Sequence, residues 1–257
     1  MTVVVTVSDS IRTITIRRPE VRNALDRPTV EALVAALREV ESDPATRAVL
    51  LTGAGGAFSS GADLRAAMSE AQTTPGAGVD LFHSLARALH ACPRPVVALV
   101  DGPAVGFGAS LALGCDLRVA TERAYFQLSF VRIGLVTDGG ASYWFPRLAG
   151  VARAAEAMML GERIDARAAL EWGLVNRVHP LGEAEPAAWD LARRLAAGPP
   201  RALRLMRRLM YESLTGDFDE ALDREREAQV QCLTGPELME GVSALFGKRD
   251  PKWENDG

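Results

Sequence analysis

Apolar positions along the chain follow two spacings, one typical of strands and the other typical of helices. Residues 1–7 and 11–17 alternate apolar and polar positions around a short polar turn, which predicts a β-hairpin. The runs at 48–52 and 96–100 are short and almost wholly apolar, as expected of strands that are buried on both faces. The remaining extended segments are predicted at 116–120, 124–126 and 175–178.

Helical spacing occurs between and after these strands. One helix, with Pro28 near its start, is predicted to end near Glu41 and to bury Val30, Leu33 and Leu37. Four more helices are predicted at 184–197, 200–214, 218–233 and 236–246. Their arginines are interpreted as a solvated or intersubunit face, and they are Arg193, Arg194, Arg201, Arg204, Arg207 and Arg208.

The segment between the two apolar runs combines a predicted loop with a predicted helix. Residues 71–79 are small, polar and rich in glycine, so we expect a mobile loop there. The helix that follows has an apolar face beginning at Leu81. His83 and His90 lie on it seven residues apart, about two turns, so they point in similar directions.

Each of the two apolar runs is followed by a glycine-rich turn and the start of a helix. The first of these helices is predicted to begin near Ala62 or Asp63, and the second near Phe107. The first N–H groups of a helix lack internal partners and carry the positive end of its dipole, so either turn could hold an anion or a polarised carbonyl. The alternative is that the glycines only allow close packing and that Asp63 is an ordinary acid at a helix start.

Composition narrows the classes of function. The chain has 257 residues and a formal net charge of −4, which gives no basic field for nucleic acid. No apolar run approaches the roughly 20 residues of a membrane span, and the first residues do not resemble a signal peptide. The three cysteines, Cys92, Cys115 and Cys232, are scattered. We therefore expect a cytoplasmic protein without structural zinc, disulfides or a membrane partner.

Several longer motifs resemble the enoyl-CoA hydratase/isomerase (crotonase) family. They are AFSSGADL at 57–64, RPVVALVDGPAVGFGASLALGCDLRVA at 94–120, AYFQLSFVRIGLVTDGGASYWFPRLAG at 124–150, GERIDARAALEWGLVNRV at 161–178 and KRDPKW at 248–253. The resemblance covers essentially the whole chain. It implies an α/β fold, with a crotonase-like spiral of repeated β-β-α turns over 1–195 and a C-terminal helical region over 196–257. It also implies an acyl-CoA substrate, no metal, no cofactor beyond the coenzyme A of the substrate, and a homotrimer or a dimer of trimers.

The resemblance assigns roles to particular positions. The N–H groups of Ala62 and Phe107 are expected to form an oxyanion hole for the thioester oxygen. Arg22 is expected near a coenzyme A phosphate, although an ordinary surface arginine is an equal alternative, and Phe246 with Lys248 is expected to reach the coenzyme of a neighbouring subunit. The positions expected at coenzyme A or the acyl group are Arg22, Ala24, Ala62, Asp63, Leu64, Gly106, Phe107, Ser110, Phe130, Phe246 and Lys248.

Two positions argue against hydration. Hydratases of this family use two glutamates to hold and activate water, and the matching positions here hold Ser110 and Phe130. Neither side chain can act as the carboxylate acid or base. The chain is therefore not expected to be an efficient classical hydratase.

Asp138 is the candidate base. Taken alone, its place before Gly139-Gly140 and a helix favours an N-capping carboxylate. By resemblance, PaaG-like enoyl-CoA isomerases place their working carboxylate at this position. The expectation is a double-bond isomerase in which Asp138 shuttles the proton and an apolar wall that includes Phe130 raises its pKa.

Two other functions fit the same residues. In chlorobenzoyl-CoA dehalogenases of the family, the nucleophile is an aspartate that matches Asp138 of this chain, and the histidine that activates water matches His83. By this resemblance Asp138 and His83 could support hydrolysis or dehalogenation. Those enzymes carry a tryptophan where this chain has Phe130, so the match is partial. The third alternative is an acyl-CoA-binding protein without catalysis.

Overall fold

The chain forms two β-sheets surrounded by helices. The computed structural model describes residues 1–71 and 75–254. The larger sheet has the order β1-β2-β3-β4-β6-β9 and the smaller one the order β5-β7-β8. The strands are β1 Val3–Ser8, β2 Ile11–Ile16, β3 Ala48–Gly53, β4 Val96–Val100, β5 Pro103–Val105, β6 Leu117–Thr121, β7 Tyr125–Gln127, β8 Ile164–Asp165 and β9 Arg177–His179.

Helices follow most of the strands and also form the C-terminal part of the chain. In the described residues they are α1 Arg27–Ser42, α2 Leu64–Ala71, α3 Pro75–Ala91, α4 Phe107–Leu113, α5 Ala141–Ala149, α6 Val151–Leu160, α7 Ala166–Glu171, α8 Leu181–Ala196, α9 Pro200–Glu212, α10 Phe218–Leu233 and α11 Pro236–Gly247. A 3₁₀ turn spans Ser129–Ile133.

The connections repeat one unit along the chain. Strand β4 of the large sheet leads into β5 of the small sheet and then into α4, and β6 leads in the same way into β7. Strand β3 follows this pattern too, because the loop after it pairs with β5 through the parallel bridge between Ser59 and Ala104. Strands β2, β3, β4, β6 and β9 pair in parallel, and β1 joins β2 as the predicted antiparallel hairpin. The fold is the predicted mixed α/β spiral of β-β-α units.

The core lies on both faces of the large sheet. Every residue of β4 is buried, as its unbroken apolar run predicts. On one face Leu50 and Val97 pack in a cluster with Ala188 and other residues of α8. On the other face Leu51 and Ala98 pack in a larger cluster that includes residues of α1, α3 and α4. Because both faces are covered, the loops at the strand ends are held in fixed positions.

The predicted loop at 71–79 is wrong in its second half. Residues 72–74 lie outside the described residues, but Pro75–Ala91 is one helix. Proline is favoured in the first turn of a helix because its missing N–H has no partner to lose there and its φ angle is already helical. Pro75 therefore starts α3 in spite of the glycines at 76 and 78. Segments 151–160 and 166–171 are also helical and were not predicted as helices.

The predicted solvated arginine face fails at one position. Arg193, Arg194, Arg204 and Arg208 are exposed, but Arg207 on α9 is buried. Its guanidinium lies 2.9 Å from the carboxylate of Asp116, which follows α4. It also donates hydrogen bonds to the carbonyl oxygens at 89, 90 and 92, where α3 ends. Arg207 thus ties α9 to the end of α3 and to Asp116 after α4.

Candidate active site

The two glycine loops converge, as the predicted oxyanion hole requires. The carbonyl oxygen of Ser59 accepts a hydrogen bond from the N–H of Val105, so the loop after β3 runs beside β5. Gly61, at φ +91°, leaves no room for a side chain, since a Cβ there would lie 2.6 Å from the Val105 carbonyl oxygen, and it would lie 3.2 Å from the Phe107 nitrogen. Because Ala62 is bonded directly to Gly61, its amide and that of Phe107 are neighbours.

The amides of Ala62 and Phe107 are not used by the fold. Leu25 pairs with the first loop through the N–H of Asp63 and the carbonyl of Gly61, so the N–H of Ala62 points away from it. Phe107 is the first residue of α4, where an N–H has no intrahelical acceptor. Within residues 1–71 and 75–254, neither N–H donates a hydrogen bond. Both N–H groups are therefore available to a ligand, and the oxyanion hole that they would form stays a prediction.

A cavity of about 250 Å³ is lined by Ala62, which carries one of these two amides. Its walls come from the start of α1, the first glycine loop with α2, and α3. The residues that line it are Leu25, Asp26, Arg27, Ala62, Asp63, Leu64, Ala66, Gly78, Val79, Leu81, Phe82, Leu135 and Asp138. Most of these side chains are apolar, so the cavity fits an apolar group attached to a polar head.

Asp138 lines this cavity and does not cap the helix that follows it. Helix α5 begins after Gly140, and no side chain caps it. The Oδ1 atom of Asp138 is buried without a hydrogen-bond partner among the described residues. Burial raises the pKa of the Asp138 carboxyl above its ordinary value, and the nearby His83 offsets part of that rise. A half-buried acid with a raised pKa in a cavity is a candidate for proton transfer.

Ser110 and Phe130 occupy different parts of this region. Ser110 is fully buried on α4, and its hydroxyl donates a 2.8 Å hydrogen bond to the main-chain carbonyl of Asp138. Phe130, in the 3₁₀ turn, is 9% exposed and lies against the Gly106 position, about 4.0 Å from where a Cβ would be. Within the described part of the chain, Phe130 does not line the cavity that contains Asp138. The apolar wall of that cavity is supplied instead by residues such as Phe82.

The phenyl ring of Phe107 is buried between α3 and the loop that carries Asp138. It packs on Phe82 with ring centroids 4.7 Å apart. A Cβ at Gly139 would lie 2.6 Å from this ring and 3.0 Å from the Cβ of Ser110. Gly139, with φ +63°, is therefore required where the Asp138 loop crosses α4. His83 lies on α3, on the other side of Asp138, while His90 stacks with Trp144 and Tyr211 further along.

The residues expected near coenzyme A lie at the cavity edge or remain exposed. Arg22 is exposed and adopts φ 52°, and Ala24 is buried beside Leu25. Phe246 and Lys248 are exposed at the end of α11. The structure brings Ala62, Asp63, Leu64, Phe107, Ser110, Asp138 and His83 together within one chain, whereas Phe246 and Lys248 stay on the C-terminal helices.

Arg18 is a structural residue of this site that the sequence patterns did not reveal. Its guanidinium lies 3.2 Å from a carboxylate oxygen of Asp26 and 3.2 Å from one of Asp63. The other oxygens of these aspartates accept hydrogen bonds from the first turns of α1 and α2, at Thr29 and Ala66. Asp63 is therefore the acid at a helix start that its position suggested. The sequence signal for Arg18 would be the two aspartates at the starts of α1 and α2. Their carboxylates lie close together, and a cation between them offsets their repulsion.

The described residues contain neither a cluster suited to a metal ion nor a helix suited to a lipid bilayer. Among residues 1–71 and 75–254, no group of three or more histidine, cysteine, aspartate or glutamate side chains is arranged to hold a metal ion. Over the same residues, none of the helices has the length and apolar character needed to span a bilayer.

The chain is a spiral of β-β-α units with two unused amides and one desolvated carboxylate, an arrangement that can hold and polarise a carbonyl oxygen. The comparisons with known proteins identify the class of protein. The chain belongs to the enoyl-CoA hydratase/isomerase family, whose pattern it matches over residues 6–256. The family acts on coenzyme A thioesters.

Its relatives differ in their reactions. The chain is 36% identical to a 1,2-epoxyphenylacetyl-CoA isomerase of Escherichia coli K12, over 96% of each chain. It is 31% identical to 4-chlorobenzoyl coenzyme A dehalogenase-2 of an Arthrobacter species, over 94% of this chain and 89% of that one. Its fold is similar to the crystal structure of an enoyl-CoA hydratase from Bacillus anthracis, with a TM-score of 0.96, 30% identity and complete coverage of both chains.

Proposed function

We propose that this protein isomerises the carbon–carbon double bond of an enoyl-CoA thioester, with Asp138 as the proton carrier. The observation that supports this most is the position of Asp138, whose desolvated carboxylate lines the same cavity as Ala62. Most of the lining is apolar, which suits an acyl chain, and the cavity brings the base close to the amides that would hold the thioester oxygen. The similarity to a coenzyme A isomerase supports the same reaction.

The proposed reaction requires one base and one pair of main-chain donors. The Asp138 carboxylate removes a proton from a carbon that is conjugated with the thioester once the proton leaves. The electron pair delocalises onto the thioester oxygen, which accepts hydrogen bonds from the N–H groups of Ala62 and Phe107. Removing one donor from such a pair typically costs about 3 to 4 kcal/mol of barrier. The Asp138 carboxyl then returns the proton at the other end of the conjugated system, so the double bond moves and no water is consumed.

Hydration is disfavoured by the side chains that stand near the amides. The Ser110 hydroxyl is already donated to the Asp138 carbonyl, and Phe130 offers neither a proton nor a lone pair. Addition of water to a double bond requires a base to activate the water and an acid to protonate the carbon. Asp138 could supply one of these functions, and the second carboxylate that hydratases of the family use is missing.

Hydrolytic or dehalogenating chemistry is a second candidate because His83 acts electrostatically on Asp138. His83 lies close enough to Asp138 to favour its ionised form electrostatically. An ionised aspartate could attack an electrophilic carbon and expel its halide or the coenzyme A thiolate, and water that the histidine deprotonates would then cleave the covalent bond to the aspartate. The similarity to a chlorobenzoyl coenzyme A dehalogenase favours the same pair.

One assay distinguishes these candidates. The wild-type protein is incubated with panels of 2-enoyl-CoA and 3-enoyl-CoA thioesters, and the products are followed by ultraviolet absorbance and mass. Isomerisation changes the absorbance while the mass and the thioester stay intact. Hydration adds the mass of one water, and hydrolysis releases free coenzyme A. Tight binding without turnover of any panel member would contradict the proposed isomerase and leave an acyl-CoA-binding protein.

We also propose that the C-terminal helices assemble the chain into a homotrimer or a dimer of trimers. These helices carry large apolar side chains that a single chain leaves exposed, and they include Met206, Met210, Phe218, Met239, Leu245 and Phe246. In such an assembly Phe246 and Lys248 would reach the coenzyme of a neighbour. Light scattering should give a mass of three or six chains, and a mass equal to one 27.5 kDa chain would contradict the assembly.

A further inference from the structure

The hydroxyl of Ser110 is the side-chain group that holds the Asp138 loop onto α4. It donates a 2.8 Å hydrogen bond to the Asp138 carbonyl, across 28 residues of sequence. The same carbonyl also accepts from the N–H of Ala141 at 3.2 Å. Ser110 is fully buried, so solvent cannot replace this bond if it is lost.

The Asp138 carboxylate has little else to orient it. Its Oδ1 atom is buried and accepts no hydrogen bond from the described residues. Residues 131–136 before it are exposed, and Gly139 and Gly140 after it both adopt positive φ angles. The direction of the carboxylate is therefore set by the backbone at 138, and that backbone is fixed by the Ser110 hydroxyl and by the contact of Gly139 with α4.

Helix α4 also carries the second amide of the oxyanion hole. Phe107 is its first residue, and Ser110 follows one helical turn later. A base and an oxyanion donor that act on one substrate must keep a fixed separation, because a displacement of about 1 Å can lower a rate about 100-fold. The Ser110 bond connects the two groups through three residues of one helix.

We propose that Ser110 is a positioning residue, which holds the Asp138 loop against α4 so that the carboxylate faces the carbon next to the thioester bound at Phe107. This rests on the isomerisation proposed above. Ser110 does not touch the substrate in this proposal. A glutamate at the same position, ionised at neutral pH, could only accept hydrogen bonds and would repel the carbonyl that Ser110 holds. The serine and the Asp138 base therefore belong together in this chain.

The test compares Ser110→Ala with wild type, using the 3-enoyl-CoA that turns over fastest. We expect kcat to fall roughly 10- to 100-fold because the carboxylate loses its fixed direction. KM, and the affinity for a non-isomerisable saturated acyl-CoA, should stay within about two-fold. Ser110→Cys replaces the hydroxyl with a slightly larger group that is a weaker donor, so its kcat should fall between those of Ser110→Ala and wild type. Melting temperatures show that both variants are folded.

A second readout separates positioning from a merely structural role. In Ser110→Ala the freed Asp138 carboxylate gains access to water, so its raised pKa should fall towards the ordinary value. The acid limb of the kcat/KM profile should then move to lower pH. The matched control is Ser84→Ala, which removes a hydroxyl bonded to a helix carbonyl, that of Leu81 at 2.6 Å, and should change neither kcat nor the profile.

The outcomes are distinct. A lower kcat together with a lower Asp138 pKa supports the proposal. A lower kcat with an unchanged acid limb, or a kcat within about two-fold of wild type, overturns it. If the wild type isomerises no thioester, the isomerase function fails, and carbon-13 NMR titration of Asp138, assigned with Asp138→Asn, still tests the role of Ser110 by the same pKa change.

Discussion

Replacing Asp138 with asparagine should reduce double-bond isomerisation roughly 10³-fold, within the usual contribution of a general base. The side chain keeps its size but cannot take a proton from carbon, while the amides at 62 and 107 still hold the thioester. The affinity for a saturated acyl-CoA should therefore change little, and the decrease should appear in kcat. Initial rates and a calorimetric titration measure the two effects.

The matched control is Asp80→Asn, which removes an exposed carboxylate from α3 between two residues that line the cavity. It should retain nearly the full rate. Asp138→Asn activity within about ten-fold of wild type would contradict the role of Asp138 as the base. If instead wild type releases free coenzyme A and Asp138→Asn stops that release, the hydrolytic candidate is correct.

The same variant should change stability in a direction fixed by the raised pKa. A carboxyl whose pKa is higher in the folded than in the unfolded state opposes folding when it is ionised. This cost is present above the folded pKa and disappears as the pH falls below the unfolded one. Asp138→Asn should therefore melt at a higher temperature than wild type at neutral pH, and the difference should vanish in acid.

Replacing Arg207 with methionine should lower the free energy of unfolding by about 3–5 kcal/mol. The Arg207 and Asp116 side chains are each 8% exposed, so the variant leaves a buried carboxylate without its cation. The N–H of Val96 and the hydroxyl of Tyr211 still donate to that carboxylate and compensate for part of the loss. Three carbonyls at the end of α3 also lose their donor.

Arg208→Met is the control for this experiment. Arg208 is adjacent and pairs with Glu212 at 3.7 Å, but both side chains are more than 40% exposed. Exposed pairs contribute about 0–1 kcal/mol. Chemical denaturation of both variants at one protein concentration gives the comparison. Equal losses for the two substitutions would show that the buried pair has no special importance for the fold.

Most strands and helices could be predicted because their patterns are local, but the short strands β5 and β8 were not predicted. Unbroken apolar runs at 48–52 and 96–100 can only be buried on both faces, and the structure confirms both as central strands. The start of α3 differs from the prediction because Pro75 suits a first helical turn and the glycines at 76 and 78 do not interrupt the helix.

The site depends on contacts between distant segments, which spacing does not show. Asp138 was expected to cap α5 on local grounds, and only the meeting of its loop with α4 and α3 shows that it lines a cavity instead. Arg207 looked like its neighbours on a basic helix, yet the burial of Asp116, 91 residues earlier, determines its role. Arg18 could be found only by noticing that two capping aspartates converge.

The convergence at Arg18 has a consequence for how a ligand enters. Asp26 and Asp63 each give one oxygen to the start of a helix and the other to the same guanidinium, so a single cation links the starts of α1 and α2. Both aspartates line the cavity, so a ligand that enters meets a rim that is already ordered. The conformational entropy cost of ordering that rim arises when the chain folds, so it does not weaken the binding of the substrate.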